Sequence, residues 1–334
     1  MRATDESQAE AVESETDFST VRRVAGAALA GIGGLAVAGE GRVNGQLGAQ
    51  LGDGVAAALF TFGSGLLLLV AAVAALPAGR RGAARLRAEL RGGRLRWWQC
   101  LGGVCGAFLV TSQGVTIALL GVAVFTVAVV AGQVVSSLVV DRAGVGPAGR
   151  QPLTGPRVAG AALAVVAVGV AVSGDFGRPS VLWLAVLPAL AGVAVGWQQA
   201  VNGLVRRAAG NTTVAAMVNF AVGFGALLLV FGVDVLLRGT PAAPPGQWWL
   251  YTAGCLAIVA IGTSVGAVRL IGVLMVGLCS VSGQLVGSLL LDLFAPTAGH
   301  RLGPSSLIGT GLTLVAVGVA AVRTRRADRT HALR

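Results

Sequence analysis

The chain has 334 residues, of which 55% are hydrophobic and 12% charged, with a formal net charge of +11. That composition is too apolar and too weakly charged for a water-soluble domain of this length and places the chain among membrane proteins. The positive charge is all arginine, and its distribution along the chain fits membrane topology and anionic-lipid contact rather than a nucleic-acid partner.

Residues 1–20 carry Asp5, Glu6, Glu10, Glu13, Glu15 and Asp17 where a signal peptide would be basic and then apolar, so they read as a disordered acidic cytoplasmic tail. A helix needs roughly 20 apolar residues to cross the hydrocarbon layer. Stretches of that kind follow at 24–45, 55–76, 98–119, 120–141, 156–174, 181–203, 212–237, 248–269, 271–292 and 305–323, and a basic tail at 324–334 closes the chain. The expected architecture is an all-α polytopic membrane protein with ten transmembrane helices, five in residues 21–174 and five in 181–323.

The two halves repeat one another. GRVNGQLG, starting at Gly41, returns as QAVNGLVR from Gln199; Trp97-Trp98 returns as Trp248-Trp249, Gly132-Gln133 as Gly283-Gln284, Ser137 as Ser288 and Asp141 as Asp292. The offset is 151 residues from Trp97 to Asp141, but 158 for the VNG pair, because the first half has a longer Arg-rich loop between Arg80 and Arg96. Five crossings per half require the second half to enter the membrane the opposite way round, and inverted repeats are a common construction of secondary transporters. With both termini cytoplasmic, every arginine except Arg42, Arg178, Arg238 and Arg301 falls on the cytoplasmic side, as the positive-inside rule demands.

Polar side chains are costly in hydrocarbon and mark cavities or partners. Glu40 and Asn44 lie four residues apart on one face of the first span; Gln198 and Asn202 repeat the pattern in the sixth, beside Trp197 and Gln199. Both pairs are candidates for a shared pathway. For Asn44 and Asn202 the competing reading is a helix-closing cap before Gly45 and Gly203. Glu40 has no acidic mate, since Gln198 occupies the matching position. It is open to three readings: a proton carrier, a counter-ion for a cationic substrate, or a water-exposed residue near the outer end of its helix. Gln133 and Gln284 form a second candidate pair, weighed against interhelical hydrogen bonding. Asp141 and Asp292 end the same helix faces and read as caps or partners of loop arginines such as Arg142 or Arg301. Ser112-Gln113, Thr263-Ser264, Asn219 and its repeat mate Thr61 are weaker candidates, and Arg269 reads as a snorkelling residue.

Glycines four apart (Gly102/Gly106, Gly192/Gly196, Gly262/Gly266, Gly283/Gly287) suggest close helix contacts. Trp97-Trp98, Trp183 and Trp248-Trp249 read as interfacial anchors, whereas Trp197 lies deep enough either to stack on a ligand or to fill the bundle. Cys100, Cys105, Cys255 and Cys279 lack metal or redox spacing and read as packing residues, and His300 and His331 stand alone, so no metal, cofactor or catalytic residue is expected. No Walker-type stretch occurs, and no nucleophile–base set or acid pair converges.

A polar residue followed by N-G near the end of the first helix of each half, an aromatic pair opening the third, and G-Q followed by S and D on the fourth resemble the YdcZ-like branch of the drug/metabolite transporter superfamily, over residues 24 to 323. The resemblance implies a ten-helix inverted-repeat bundle in the bacterial inner membrane that moves small metabolites or drug-like compounds. The departure is Glu40-Gly41 in the first copy against Gln198-Gln199 in the second. The expected function is secondary transport, export by alternating access with proton coupling open, by a monomer or homodimer. The alternative is a membrane scaffold or lipid-handling, translocase-like protein.

Overall fold

The computed structural model describes the backbone of residues 2–147, 149–173, 179–296 and 303–320, with side chains from residue 21 onward except at 179–182, 238, 268–269 and 272–274. Among these residues the regular elements are helices: α1 (Arg2–Leu51), α2 (Gly54–Ala75), α3 (Pro77–Arg91), α4 (Gly102–Ala143), α5 (Gly155–Ala171), α6 (Pro179–Ala209), α7 (Thr212–Arg238), α8 (Ala253–Phe294) and α9 (Pro304–Ala320). Short 3-10 turns at Trp97–Cys100 and Trp248–Tyr251 precede α4 and α8. His300, His331, Arg178, Arg301 and the basic tail lie outside the described residues.

Among the described residues, six stretches are long and apolar enough to cross a membrane: Val21–Leu51, Gly54–Ala75, Trp97–Ala143, Trp183–Ala209, Thr212–Leu237 and Met275–Phe294. Shorter apolar helices are Gly155–Ala171, Ala253–Ala267 and Pro304–Ala320. The third and fourth expected spans are fused into α4, which at 42 residues would be about 63 Å long if straight, twice the roughly 30 Å hydrocarbon layer. It is not straight: Gly121 has φ 77 and ψ 164, a conformation closed to residues with a Cβ, and two helices meet there.

Three local expectations change. The Arg-rich loop is mostly the helix α3, begun by Pro77 in its first turn and built from Ala, Leu and Arg, all good helix formers. It buries Gly79, Gly82 and Leu86 and leaves its arginines in solvent. α1 runs back through the acidic segment expected to be a disordered tail, whose Ala and Glu residues favour helix and whose acids Asp5 and Glu6 suit a helix N-terminus. Asn44 and Asn202 do not end their helices, because α1 continues to Leu51 and α6 to Ala209.

The packing is reciprocal between halves. α1 lies along α8 and α6 along α4, while α2 meets α7 and α5 meets α9. Glycine makes these contacts possible by removing the side chain between backbones. A Cβ built on Gly102 would lie 2.6 Å from Asn202 Oδ1, on Gly196 2.6 Å from Ser136 Cβ, and on Gly287 2.8 Å from Leu35 Cδ2. The expected Gly262/Gly266 contact is not made among the described residues: a Cβ built on Gly262 would meet no neighbouring helix within 4 Å, and one on Gly266 would meet Leu29 at 3.8 Å. The valine-rich run from Leu120 to Gly132 is buried without interruption and forms the centre of the bundle. α7 is peripheral, with Leu229 and Leu236 76% and 86% exposed, the pattern of a lipid-facing helix.

Candidate functional site

Asn44, Gln198 and Asn202, singled out by spacing, fall into two hydrogen-bonded groups at matching places. In the first half Asn44, fully buried, donates from Nδ2 to the Val110 carbonyl at 2.7 Å and accepts from Thr61 Oγ1 at 2.9 Å. In the second half Asn219 Oδ1 accepts from Gln198 Nε2 at 2.9 Å and from Asn202 Nδ2 at 3.0 Å. Thr61 and Asn219 are repeat mates, both 17 residues beyond their Asn partner. The same cross-link therefore joins α1 to α2 and α6 to α7, and the polar atoms that hydrocarbon would strand are partnered. Ser137 and Ser288, also mates, both donate to the carbonyl three residues back.

Glu40 sits one turn before Asn44 and differs from its mate. Only 7% of it is exposed, so it is not a water-exposed residue at the helix end, and it makes no hydrogen bond or ion pair among the described residues. Gln198, the mate, is tied to Asn219. Close by, Gln113 comes within 3.3 Å of a Cβ built on Gly41, and its buried Oε1 has no partner. An unpaired acid and an orphaned amide oxygen are thus left near the middle of the first half, where the second half is satisfied.

Gln133 and Gln284 are half-buried on α4 and α8 and make no hydrogen bond among the described residues, so the interhelical bond weighed for them is not formed. Their preceding glycines do the packing, Gly132 against Ala189 and Gly283 against Gly31. Trp197 is half-buried on α6.

The two aspartates at the helix ends part company. Asp141 is ion-paired with Arg157 rather than with its neighbour Arg142. Asp292, 3% exposed, accepts from the backbone N–H groups of Val122 at 3.0 Å and Ala123 at 2.7 Å. It caps the helix that restarts after Gly121, a long-range N-cap supplied by the other half of the chain. Arg42, buried on α1, donates to the Pro296 carbonyl at 3.3 Å, just beyond the helix that carries Asp292. With its amide oxygen turned toward the guanidinium, Gln46 accepts from Arg42 Nε at 3.2 Å and Nη2 at 3.0 Å. No sequence signal other than the identity of the repeat positions pointed to these partners.

A cavity of about 730 Å³ opens between α6, α7 and α8, lined by Gln199, Arg206, Gly210, Asn211, Thr212, Ala260, Ile261, Ser264 and Val265. Gln199 and the weaker candidate Ser264 are the sequence candidates that reach it; Arg206, Asn211 and Thr212 had not been singled out. Two of them could have been found from the repeat. Asn211 N-caps α7 by accepting from Val214 N at 3.1 Å, as its mate Asp53 caps α2 by accepting from Val55 N at 2.8 Å. Thr212 stands in place of Gly54 and Arg206 in place of Gly48. Where the second half has a cavity, the first half is packed shut: a Cβ on Gly48 would lie 2.7 Å from Gly114 Cα, and one on Gly45 2.7 Å from Ile117 Cβ. Among the described residues α1 packs on α4, and no comparable packing joins α6 to α8. No group of three potential metal ligands occurs among the described residues.

A family model described as "Putative inner membrane exporter, YdcZ" matches residues 25–170 and 183–320. No curated protein matches the chain. The two matched stretches cover most of the chain and coincide with the halves that repeat in sequence and pack reciprocally. The chain therefore belongs to the YdcZ family of inner membrane exporters and is a multi-pass helical protein of that membrane.

Proposed function

We propose that the protein is a secondary transporter that exports small metabolites or drug-like compounds by alternating access between two inverted five-helix halves, with both termini in the cytoplasm. The observation that carries this reading is the mismatch of the two repeat-related seams. Gly41, Gly45 and Gly48 of α1 close against α4, while Gln199 and Arg206 of α6, the mates of Gly41 and Gly48, line a cavity between α6 and α8. Two like halves held in unlike arrangements can exchange them, and the exchange would move an opening from one face of the membrane to the other. The arginine distribution supports a cytoplasmic side for the open seam, and in this reading the arrangement is one ready to load from the cell interior.

In this reading Glu40 is the coupling residue. An acid shielded from water and lacking a partner exchanges its proton only when the pathway opens to it. Asn44, Gln133, Trp197, Gln198, Gln199, Asn202 and Gln284 line or brace the route. A scaffold or lipid-handling role is the second reading, favoured by one observation: Asn44, Gln198 and Asn202 already hydrogen-bond to neighbouring helices and have no need of a ligand.

The test is flux in proteoliposomes across a metabolite and drug panel at two pH values. Transport is expected for at least one compound, driven by an imposed proton gradient, with Glu40→Gln losing the pH dependence. Flux in Glu40→Gln that keeps the wild-type pH dependence removes the coupling role, and no protein-dependent flux of any compound favours the scaffold.

A further inference from the structure

The cavity between α6, α7 and α8 contains a charge that the fold does not explain. Arg206 is the one charged residue among those lining it, and no carboxylate accompanies it. Its side chain is exposed and makes no hydrogen bond or ion pair among the described residues. Neighbouring Arg207 is different: it donates from Nη1 to the Pro147 carbonyl at 2.9 Å and ties α6 to a loop. A topology signal at this turn is already supplied by Arg207.

The repeat sharpens the point. The position equivalent to Arg206 is Gly48, where a Cβ alone would collide with the Gly114 backbone. The second half has put its longest cationic side chain where the first half tolerates no side chain at all. Packing symmetry cannot require an arginine there, so its role is sought in what enters the space. Around it stand further donors: the Gln199 amide, the Thr212 hydroxyl, and the Asn211 Nδ2, left over because capping uses only Asn211 Oδ1. Ala260, Ile261 and Val265 supply an apolar wall. The volume, about 730 Å³, lies within the roughly 300–1,000 Å³ typical of small-molecule sites.

We propose that this cavity binds a small ligand bearing a carboxylate or phosphate group, held by the Arg206 guanidinium and oriented by Gln199, Asn211 and Thr212. A guanidinium offers a planar fork of donors that matches such groups in bidentate fashion. The inference rests on the exporter reading for its meaning, since it makes the loaded compound anionic at one end, but not for its test.

Thermal stability of the detergent-purified protein is measured against increasing sodium citrate and sodium phosphate, with chloride holding ionic strength constant, for the wild type, Arg206→Gln, Arg206→Lys and Arg207→Gln. At least one anion is expected to stabilise the wild type and Arg207→Gln saturably. Arg206→Gln should raise the half-saturating concentration at least tenfold, with Arg206→Lys intermediate. Equal responses in wild type and Arg206→Gln, or no saturable response to either anion or to lipid, overturn the site. A second arm places the protein in nanodiscs with and without phosphatidylglycerol. Stabilisation by that lipid alone, lost in Arg206→Gln, keeps the anion site and assigns it to a headgroup. Arg206-dependent binding without flux of any compound would sink the exporter reading and leave the site standing, whereas flux indifferent to Arg206→Gln would do the reverse.

Discussion

The seam between α1 and α4 and the seam between α6 and α8 descend from the same repeated sequence, yet one is closed by glycine and the other is held open around polar side chains. In the first, Gly41, Gly45, Gly48 and Gly54 let backbone and side chains of α4 approach to contact. In the second, the equivalent positions carry Gln199, Gly203, Arg206 and Thr212, and three of the four line a cavity. Gly203, which stays glycine, lies against Pro147 instead. The lesson is that a repeat conserves where helices turn and cap, while the residues between decide how closely they can meet.

The largest expected effect breaks that contrast at its centre. Gly48→Leu must force α1 off the Gly114 backbone, an overpacking cost on the order of 3 kcal/mol, read as a loss of thermal stability and of monodispersity in detergent. Arg206→Gln at the mate position meets open space and should change stability by no more than about 0.5 kcal/mol. Comparable losses at the two sites would mean that the open seam is packed in the protein as it exists in the membrane.

A second contrast lies at the helix ends. Asp292→Ala removes a buried cap from Val122 and Ala123, with an expected cost of about 1–2 kcal/mol. Asp141→Ala breaks a partly exposed pair with Arg157, worth at most about 1 kcal/mol. Melting curves of the two variants side by side would show which aspartate carries the fold, and a larger loss for Asp141 would reverse the assignment.

The smallest effect belongs to α3, which has no counterpart in the second half. The hydrogen bond from Arg94 holds the Glu89 carboxyl below its usual range, against a slight opposing push from desolvation. A carboxylate depressed on folding contributes stability above its unfolded value and loses it as pH falls through the lowered one. Glu89→Gln should therefore melt slightly lower than wild type at neutral pH and converge with it under acid. A difference that widens on acidification would mean that the pair is not formed in solution.

Much of this was legible in the chain. Hydropathy and the repeated VNG, Trp-Trp and Gly-Gln signals announced a duplicated helical membrane protein, because a continuous apolar run of about 20 residues can satisfy its backbone in lipid as a helix. The polar positions Asn44, Gln198 and Asn202 were visible as breaks in that background, and their hydrogen-bond partners Thr61 and Asn219, mates of one another, by offset. Asparagine before glycine suggested helix ends and misled, since in a bundle an interior amide can spend its hydrogen bonds on a neighbouring helix. α3 was missed because its arginines looked like a loop, although its Ala, Leu and Arg content is that of a helix.

What the sequence determined alone was the class, the duplication, the positions of the polar interruptions and the glycines that permit close approach, all properties of local composition and spacing. Only the tertiary structure decided that Asp292 caps a helix 170 residues away, that Arg157 rather than Arg142 meets Asp141, that Glu40 is left unpaired, and that one seam is shut while its mate is open. These are outcomes of which helices lie side by side and how far apart they stand. A one-dimensional pattern that repeats itself permits either seam to close, and the choice belongs to the packing.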